Sequence, residues 1–400
     1  MNVMPFRVRA ILILPVVLMS IISFKYSEPE KSVESPKHLT PEPETILWTH
    51  KFDGQLWAPL AFHNGALYFG SDSGVFYSFD VETQSIRWQF VTGDIIRSEA
   101  DISGGIVSFA SDDGFLYALD VDKGKERWRF DLGTANIARR LPATEAPYDY
   151  DYLHSAPEYH DGHLFIGSAD SNLYAIDHVT GVERWRFQTT HKIRSTPAVD
   201  NNTVYVGSWD GHVYALDRAS GEEKWRFDTE GIVQGSPALG AGKVFIGSRG
   251  TKVLALNNQT GDKEWEHVHE DGSWVESSPI FSDGSVYIGS SDALKLSAFD
   301  ALTGNVKWEF KTGGWSWGRP VVSNGVIYIG GISASPYYFE GVELEAGFYA
   351  VDQQTGNKIW SMATESVDEY ITGGVFSASI IVDGTIYVAG IDGTLYALAE

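Results

Sequence analysis

One phrase recurs along the chain at a nearly fixed interval, and that interval restricts the fold more than any other feature. ALDVDKGKERWRF (118–130) returns as AIDHVTGVERWRF (175–187), ALDRASGEEKWRF (215–227) and ALNNQTGDKEWEH (255–267). It continues as AFDALTGNVKWEF (298–310) and AVDQQTGNKIWSM (350–362), with a weaker copy, SFDVETQSIRWQF, at 78–90. The tryptophans of these copies are Trp88, Trp128, Trp185, Trp225, Trp265, Trp308 and Trp360, and Trp48 in ILWTHKF precedes them. Successive spacings of 40, 40, 57, 40, 40, 43 and 52 residues give a base period of 40 with insertions. A repeat of that length is one supersecondary unit, which buries its apolar faces only by stacking on neighbours.

The cleanest copy holds four short runs: IRSTPAV (193–199), TVYVGSW (203–209), HVYALD (212–217) and EKWRFD (223–228). β-Branched and aromatic residues alternate within them, and Asn, Asp and Gly punctuate the gaps, which predicts four strands per unit. Four strands in about 40 residues is the pattern of a propeller blade. The last unit (375–400) has three such runs and stops before its tryptophan, whereas ILWTHKF (46–52) is a fourth run with no blade before it. Joining the two completes an eighth blade and removes an open sheet edge. The expected fold is therefore all-β: an eight-bladed β-propeller of four-stranded antiparallel blades over residues 46–400, closed by the N-terminal strand.

The A-x-D-x-x-T-G-x-x-x-W pattern resembles the tryptophan-docking motif of the pyrroloquinoline-quinone (PQQ) propeller superfamily, from residue 46 nearly to the end of the chain. The resemblance implies radially packed blades, with Trp48, Trp88, Trp128, Trp185, Trp225, Trp265, Trp308 and Trp360 docking against neighbouring blades. It also implies two kinds of function. The superfamily includes quinone-dependent alcohol dehydrogenases and non-catalytic members such as the BamB-like scaffold of outer-membrane protein assembly. The chain has no cysteine, so it has neither the vicinal pair of many such dehydrogenases nor the lipid-bearing cysteine of that scaffold.

Composition narrows the partners. A formal charge of −23 leaves no basic surplus to neutralise phosphates, which argues against nucleic acid. No HExxH pair, EF-hand loop or GxxxxGK[ST] phosphate cradle is present, and YDYDY and SVDE offer carboxylates only at unconstrained spacing. No cofactor, metal or catalytic set is assigned. Arg7 and Arg9 precede an apolar run over residues 10–24, the pattern of an export signal. As a helix, that run would span about 22 Å, short of a bilayer core of about 30 Å. Residues 1–24 thus read as a signal peptide or signal anchor, and the Pro-, Ser- and charge-rich residues 25–45 as a disordered tether. A periplasmic or extracellular monomer is expected, touching membrane only through that first segment if it is retained.

Three insertions interrupt the period: 131–153, 361–374 and 332–346. The first two connect blades and the third joins the second and third strands of one blade, so all three emerge on one face of a propeller. Long loops on a rigid scaffold commonly carry function. Aligned on the S-x-P phrase, the residue before its serine position is Leu56, Arg97, His154, Arg194, Gln234, Glu276, Trp317 and Phe376 in blade order. Glu99 and Arg319 follow two residues on from Arg97 and Trp317, pointing the same way along a strand. The candidate binding set is Arg97, Glu99, His154, Arg194, Gln234, Glu276, Trp317 and Arg319. Its arginines could grip oxygens of an anionic or polyhydroxylated ligand, with Trp317 as a stacking face; the alternative is a polar channel whose charges pair with one another. Nearby stand Trp57, Trp209, Trp274, Trp315, Tyr148, Tyr150, Tyr152, Tyr337, Tyr338 and Phe339, which would suit a protein partner or sugar rings. The leading reading is an exported, non-catalytic binding or scaffold propeller that recognises an envelope protein or a glycan-like ligand. The alternatives are a PQQ-dependent oxidoreductase and a sugar-acting enzyme that uses His154 and its acidic neighbours.

Overall fold

The structure, a computed structural model, describes residues 46–133, 151–335 and 342–400. The expected signal and tether, most of the first insertion, and Tyr148, Tyr150, Tyr337, Tyr338 and Phe339 lie outside the described residues. The described residues form eight antiparallel sheets and no helix. In blades 1 to 7 the strands run from the channel outward in chain order; blade 4, for example, is Ala198–Val199, Thr203–Gly207, His212–Asp217 and Glu223–Asp228. Blade 8 consists of Ile380–Val382, Thr385–Ala389 and Thr394–Ala399, with the N-terminal strand Ile46–Lys51 outermost. The ring is closed as the chain ends required, with Thr49 opposite Tyr396 and Lys51 opposite Thr394.

The core lies between blades. The second and third strands carry apolar residues on both sides, because each sheet is covered on both faces. Phe165, Leu173 and Ile193 meet Val204, Val206 and Tyr214 between blades 3 and 4. At the closing seam Phe52, Tyr387 and Leu395 meet Leu67, Phe69 and Phe79. The outermost strands alternate partly buried and exposed residues, as in Glu183–Gln188, since only one side has a neighbour.

The repeated phrase has a local reason at each position. Its alanine faces the tryptophan across the strand pair, as in Ala175 with Trp185 and Ala215 with Trp225, and the ladder bulges immediately after it. Its aspartate closes the turn that follows. Asp177 accepts from the Thr180 amide at 2.9 Å and the Thr180 hydroxyl at 2.7 Å, while Arg184 reaches its other oxygen. These donors hold the Asp177 carboxyl well below the usual carboxylate range, first through Arg184. In six copies the indole N–H donates to a backbone carbonyl of the next blade, beginning with Trp88 to Val121 at 3.0 Å, Trp128 to His178 at 3.1 Å and Trp185 to Arg218 at 3.0 Å. Trp225, Trp265 and Trp308 repeat this with Asn258, Ala301 and Gln353. Trp360 packs against Tyr328 and Phe348, and Trp48 against Phe79 and Tyr387. The motif glycine lies under the preceding indole: a Cβ on Gly124 would stand 2.5 Å from the Trp88 ring.

Candidate functional site at the channel mouth

The turn between the second and third strands of one blade sits beside the segment that leads into the next. The Ile96 amide donates to the Ser71 carbonyl at 3.1 Å, and the Asp112 amide donates to the Ile95 carbonyl at 3.0 Å. This contact brings the second residue of each such turn next to a residue of the predicted ring. Arg97 accordingly clasps Asp72, Nε to Oδ1 at 3.0 Å and Nη2 to Oδ2 at 2.6 Å. His154 Nε2 stands 3.3 Å from Asp112 Oδ1, and its Nδ1 is 2.8 Å from the Ser155 carbonyl. In blade 3 the equivalent turn position is Ala169, and Arg194 is met instead by Asp151 from the first insertion, at 2.8 and 3.0 Å. Lys192 reaches the same carboxylate at 2.9 Å.

Blades 5 and 6 reverse the polarity. Arg249 in the blade 5 turn donates to Glu276 Oε1 at 2.7 Å and to Gln234 Oε1 at 3.0 Å. Burial pushes the Glu276 carboxyl up, opposed by Arg249. The guanidinium of Arg249 lies 4.7 Å from the Trp274 ring and 5.1 Å from Trp209, while Lys192 stands 3.8 Å over the Trp209 ring. Cations and indoles therefore alternate across blades 4 to 6, a favourable arrangement where water is excluded. Ring members Leu56 and Phe376 are buried and apolar.

Above the ring lies an aromatic layer. Tyr152 stacks on Trp57 at 5.1 Å and 10° and on Trp317 at 5.6 Å and 29°. The other side of Trp317 is covered by Trp315 at 4.6 Å and 10°, so its two faces are taken within the protein. Trp57, Tyr152, Trp315 and Trp317 are buried rather than displayed on the surface, and Trp274 is half-buried. Arg97 lies 4.2 Å over Trp57. The second and third insertions flank the layer: Ile332, Ser333 and Ala334 pair with Gly374, Gly373 and Ile371 as a short antiparallel ladder. A cavity of about 380 Å³ opens among Gln55, Trp57, Arg97, Tyr152, Glu369 and Tyr370. Deeper along the channel, Arg319 of blade 7 meets Glu99 of blade 2 at 3.4 Å, beside a second cavity of about 330 Å³.

The resemblance to quinone enzymes can be tested on these residues. Tyr152 occupies the space between the Trp57 and Trp317 indoles that a planar ring would use. Arg97 and Arg194 are each neutralised by a carboxylate. Among the described residues no group of three His, Asp or Glu side chains is placed to hold a metal ion. The described residues do not fit a quinone with its calcium ion at this mouth.

Sequence alignment on S-x-P found one half of each pair and missed the other: Asp72, Asp112, Asp151 and Arg249. A second alignment, on the S-x-D-G turn, would have placed Asp72, Asp112 and Arg249 in one column. Asp151 carries no such signal because it belongs to an insertion.

The comparisons with known proteins agree with this architecture. The sequence pattern of the family described as outer membrane protein assembly factor BamB matches residues 37–155, 112–290, 210–331 and 271–400. No protein of curated function matches the chain in sequence. Among solved structures, BamB from Moraxella catarrhalis is similar at 20% identity and a TM-score of 0.66, over 89% of this chain and 97% of that one. The quinohemoprotein alcohol dehydrogenase from Comamonas testosteroni is similar at 15% identity and a TM-score of 0.65, over 88% and 76%. Saccharomyces cerevisiae Sqt1 is similar at 13% identity and a TM-score of 0.71, over 90% and 100%. At such identities the structural likeness concerns the fold. The sequence pattern goes further, because it spans the propeller from end to end: the chain belongs to the family of outer membrane protein assembly factor BamB.

Proposed function

We propose that this chain is a non-catalytic scaffold of the cell envelope that docks a protein partner on the face bearing the insertions. One observation carries this reading: the channel mouth on that face is filled by the Trp57–Tyr152–Trp317–Trp315 stack, over charges that are already paired. Such a mouth is a rigid platform and a poor active site, since a substrate would have to displace buried aromatic contacts. The paired insertions rise beside it with Val342 and Glu369 exposed. Membership of the BamB family supports export and an outer-membrane protein assembly component as the partner.

Photo-crosslinking in intact envelopes tests this directly. A crosslinker at Val342 or Glu369 should capture an outer-membrane assembly component, whereas one at Ser220, exposed on a turn of the opposite face, should not. Crosslinks from Ser220 alone, or none from the inserted face, would refute the reading. In parallel, incubation with PQQ and calcium followed by a dye-linked alcohol assay should give no turnover. Turnover with stoichiometric quinone would instead make the chain an oxidoreductase.

A further inference from the structure

Below the aromatic layer, the residue after each S-x-P serine position forms a second belt around the channel. Its side chains divide by blade. Ala156 donates its amide to the Thr196 hydroxyl at 2.9 Å, Thr196 to the Ser236 hydroxyl at 2.9 Å, and Ser236 to the Ser278 hydroxyl at 2.9 Å. Each of these three hydroxyls is thus an acceptor for a neighbouring blade and retains its own hydrogen to donate. All three line the 330 Å³ cavity, as do Glu99, Glu158 and Arg319. Blades 4 to 7 therefore present donors, and blades 2 and 3 present carboxylates. Blades 8 and 1 contribute only Ala378 and Ala58 to the belt, which leaves room for Arg319 and Glu99 to approach each other.

That approach is loose. The Arg319–Glu99 contact is 3.4 Å to both carboxylate oxygens, and both side chains keep access to the lumen. By contrast, the three arginine pairs of the ring above close to 2.6–2.8 Å, the normal length for charge-assisted bonds. The Glu158 carboxyl, two residues on from Ala156, lines the same cavity and has no hydrogen-bond or ion-pair partner among the described residues. Burial, reinforced by the charges of Asp101 and Glu99, pushes its carboxyl up to about 7, so an ammonium group beside it would be stabilised.

We propose that this lumen binds a small α-amino acid, whose carboxylate takes Arg319 and the hydroxyls of Thr196, Ser236 and Ser278 while its ammonium group takes Glu99 and Glu158. An α-amino acid carries its two charges on one carbon, which matches a cation and an anion held side by side but not closed on each other. A lone anion would meet the two carboxylates, and a lone amine would meet Arg319. The cavity lies beneath the inserted face, touching Leu153, His154 and Trp317 at its upper end, and the proposal does not depend on partner docking there.

Calorimetric titration of the purified full chain with individual L-amino acids tests the proposal, with propionate and ethylamine as single-charge controls. At least one amino acid should bind one to one, and both controls at least about tenfold more weakly. Arg319→Met and Glu99→Gln should each weaken that binding at least about tenfold, and Ser236→Ala should weaken it less. Thermal midpoints near the wild-type value would show that the variants fold; a variant that unfolds would be replaced by Arg319→Lys or Glu99→Asp under the same criterion. No binding by any amino acid at about 5 mM would overturn the proposal, as would binding indifferent to both charge substitutions. Crosslinking from Val342 should be unchanged in Arg319→Met, so failure here is distinguishable from failure of the docking reading.

Discussion

Arg194 holds the buried carboxylate of Asp151 by two parallel bonds, Nε to Oδ1 at 2.8 Å and Nη2 to Oδ2 at 3.0 Å. For the ring residues of blades 2 and 3 the partner comes from the preceding blade, Asp72 for Arg97 and Asp112 for His154. Blade 3 has Ala169 at that turn position, and the insertion before it supplies the missing charge. The insertion is thereby part of the channel mouth, and Tyr152 follows its anchor directly into the aromatic stack.

Removing one partner of this pair strands a buried charge. Asp151→Ala should cost about 3–5 kcal/mol in denaturant unfolding, and Asp151→Leu combined with Arg194→Met should recover most of it. Equal losses in the single and double variants would show that the pair is not the anchor.

The docking glycines separate backbone strain from tryptophan contact. Gly221 and Gly162 both have positive φ, 74° and 82°, but a Cβ on Gly221 would stand 2.7 Å from the Trp185 ring, whereas one on Gly162 would meet nothing within 4 Å. Gly162→Ala should cost about 1 kcal/mol, and Gly221→Ala about 1–3 kcal/mol more. Denaturation midpoints of the two variants measure the difference.

Closure of the ring depends on the strand Ile46–Lys51. Deleting residues 46–52 uncovers the Thr394–Ala399 edge and removes buried Phe52, so the product should associate through that edge, as light scattering would show. Trp48→Ala keeps the strand and loses a partly buried indole; it should stay monomeric and lose less than about 3 kcal/mol.

Glu158 gives stability a pH dependence. Its folded pKa of about 7 lies above the ordinary 4.5, so the folded chain holds a proton that the unfolded chain releases. Its contribution to stability is therefore intact below about pH 4.5 and is lost progressively as pH rises to about 7. Glu158→Gln should melt increasingly higher than the wild type across that window, with a constant gap above it. A gap independent of pH would place the carboxyl in an ordinary environment.

Much of this protein was decided locally. The 40-residue period, the alanine opposite each tryptophan, the aspartate that closes the following turn and the glycine under the indole all act at fixed offsets within a blade or between consecutive blades. A contact repeated at constant spacing leaves a periodic trace in sequence, and the half-blades at the two ends completed that pattern. The channel mouth was only partly legible, because each ring residue stands in a regular column while its partner comes from another. Arg194 and Ala169 show the failure: the column predicts a carboxylate in the turn, and the charge arrives from an insertion without a period. Tyr152 is further still from local determination. Its stacking partners, Trp57 and Trp317, belong to blades 1 and 7 and meet only because the ring closes around the channel. The same closure brings Glu99 to Arg319. Contacts across the axis depend on the diameter and on the small residues of the intervening blades, and no spacing along the chain records them.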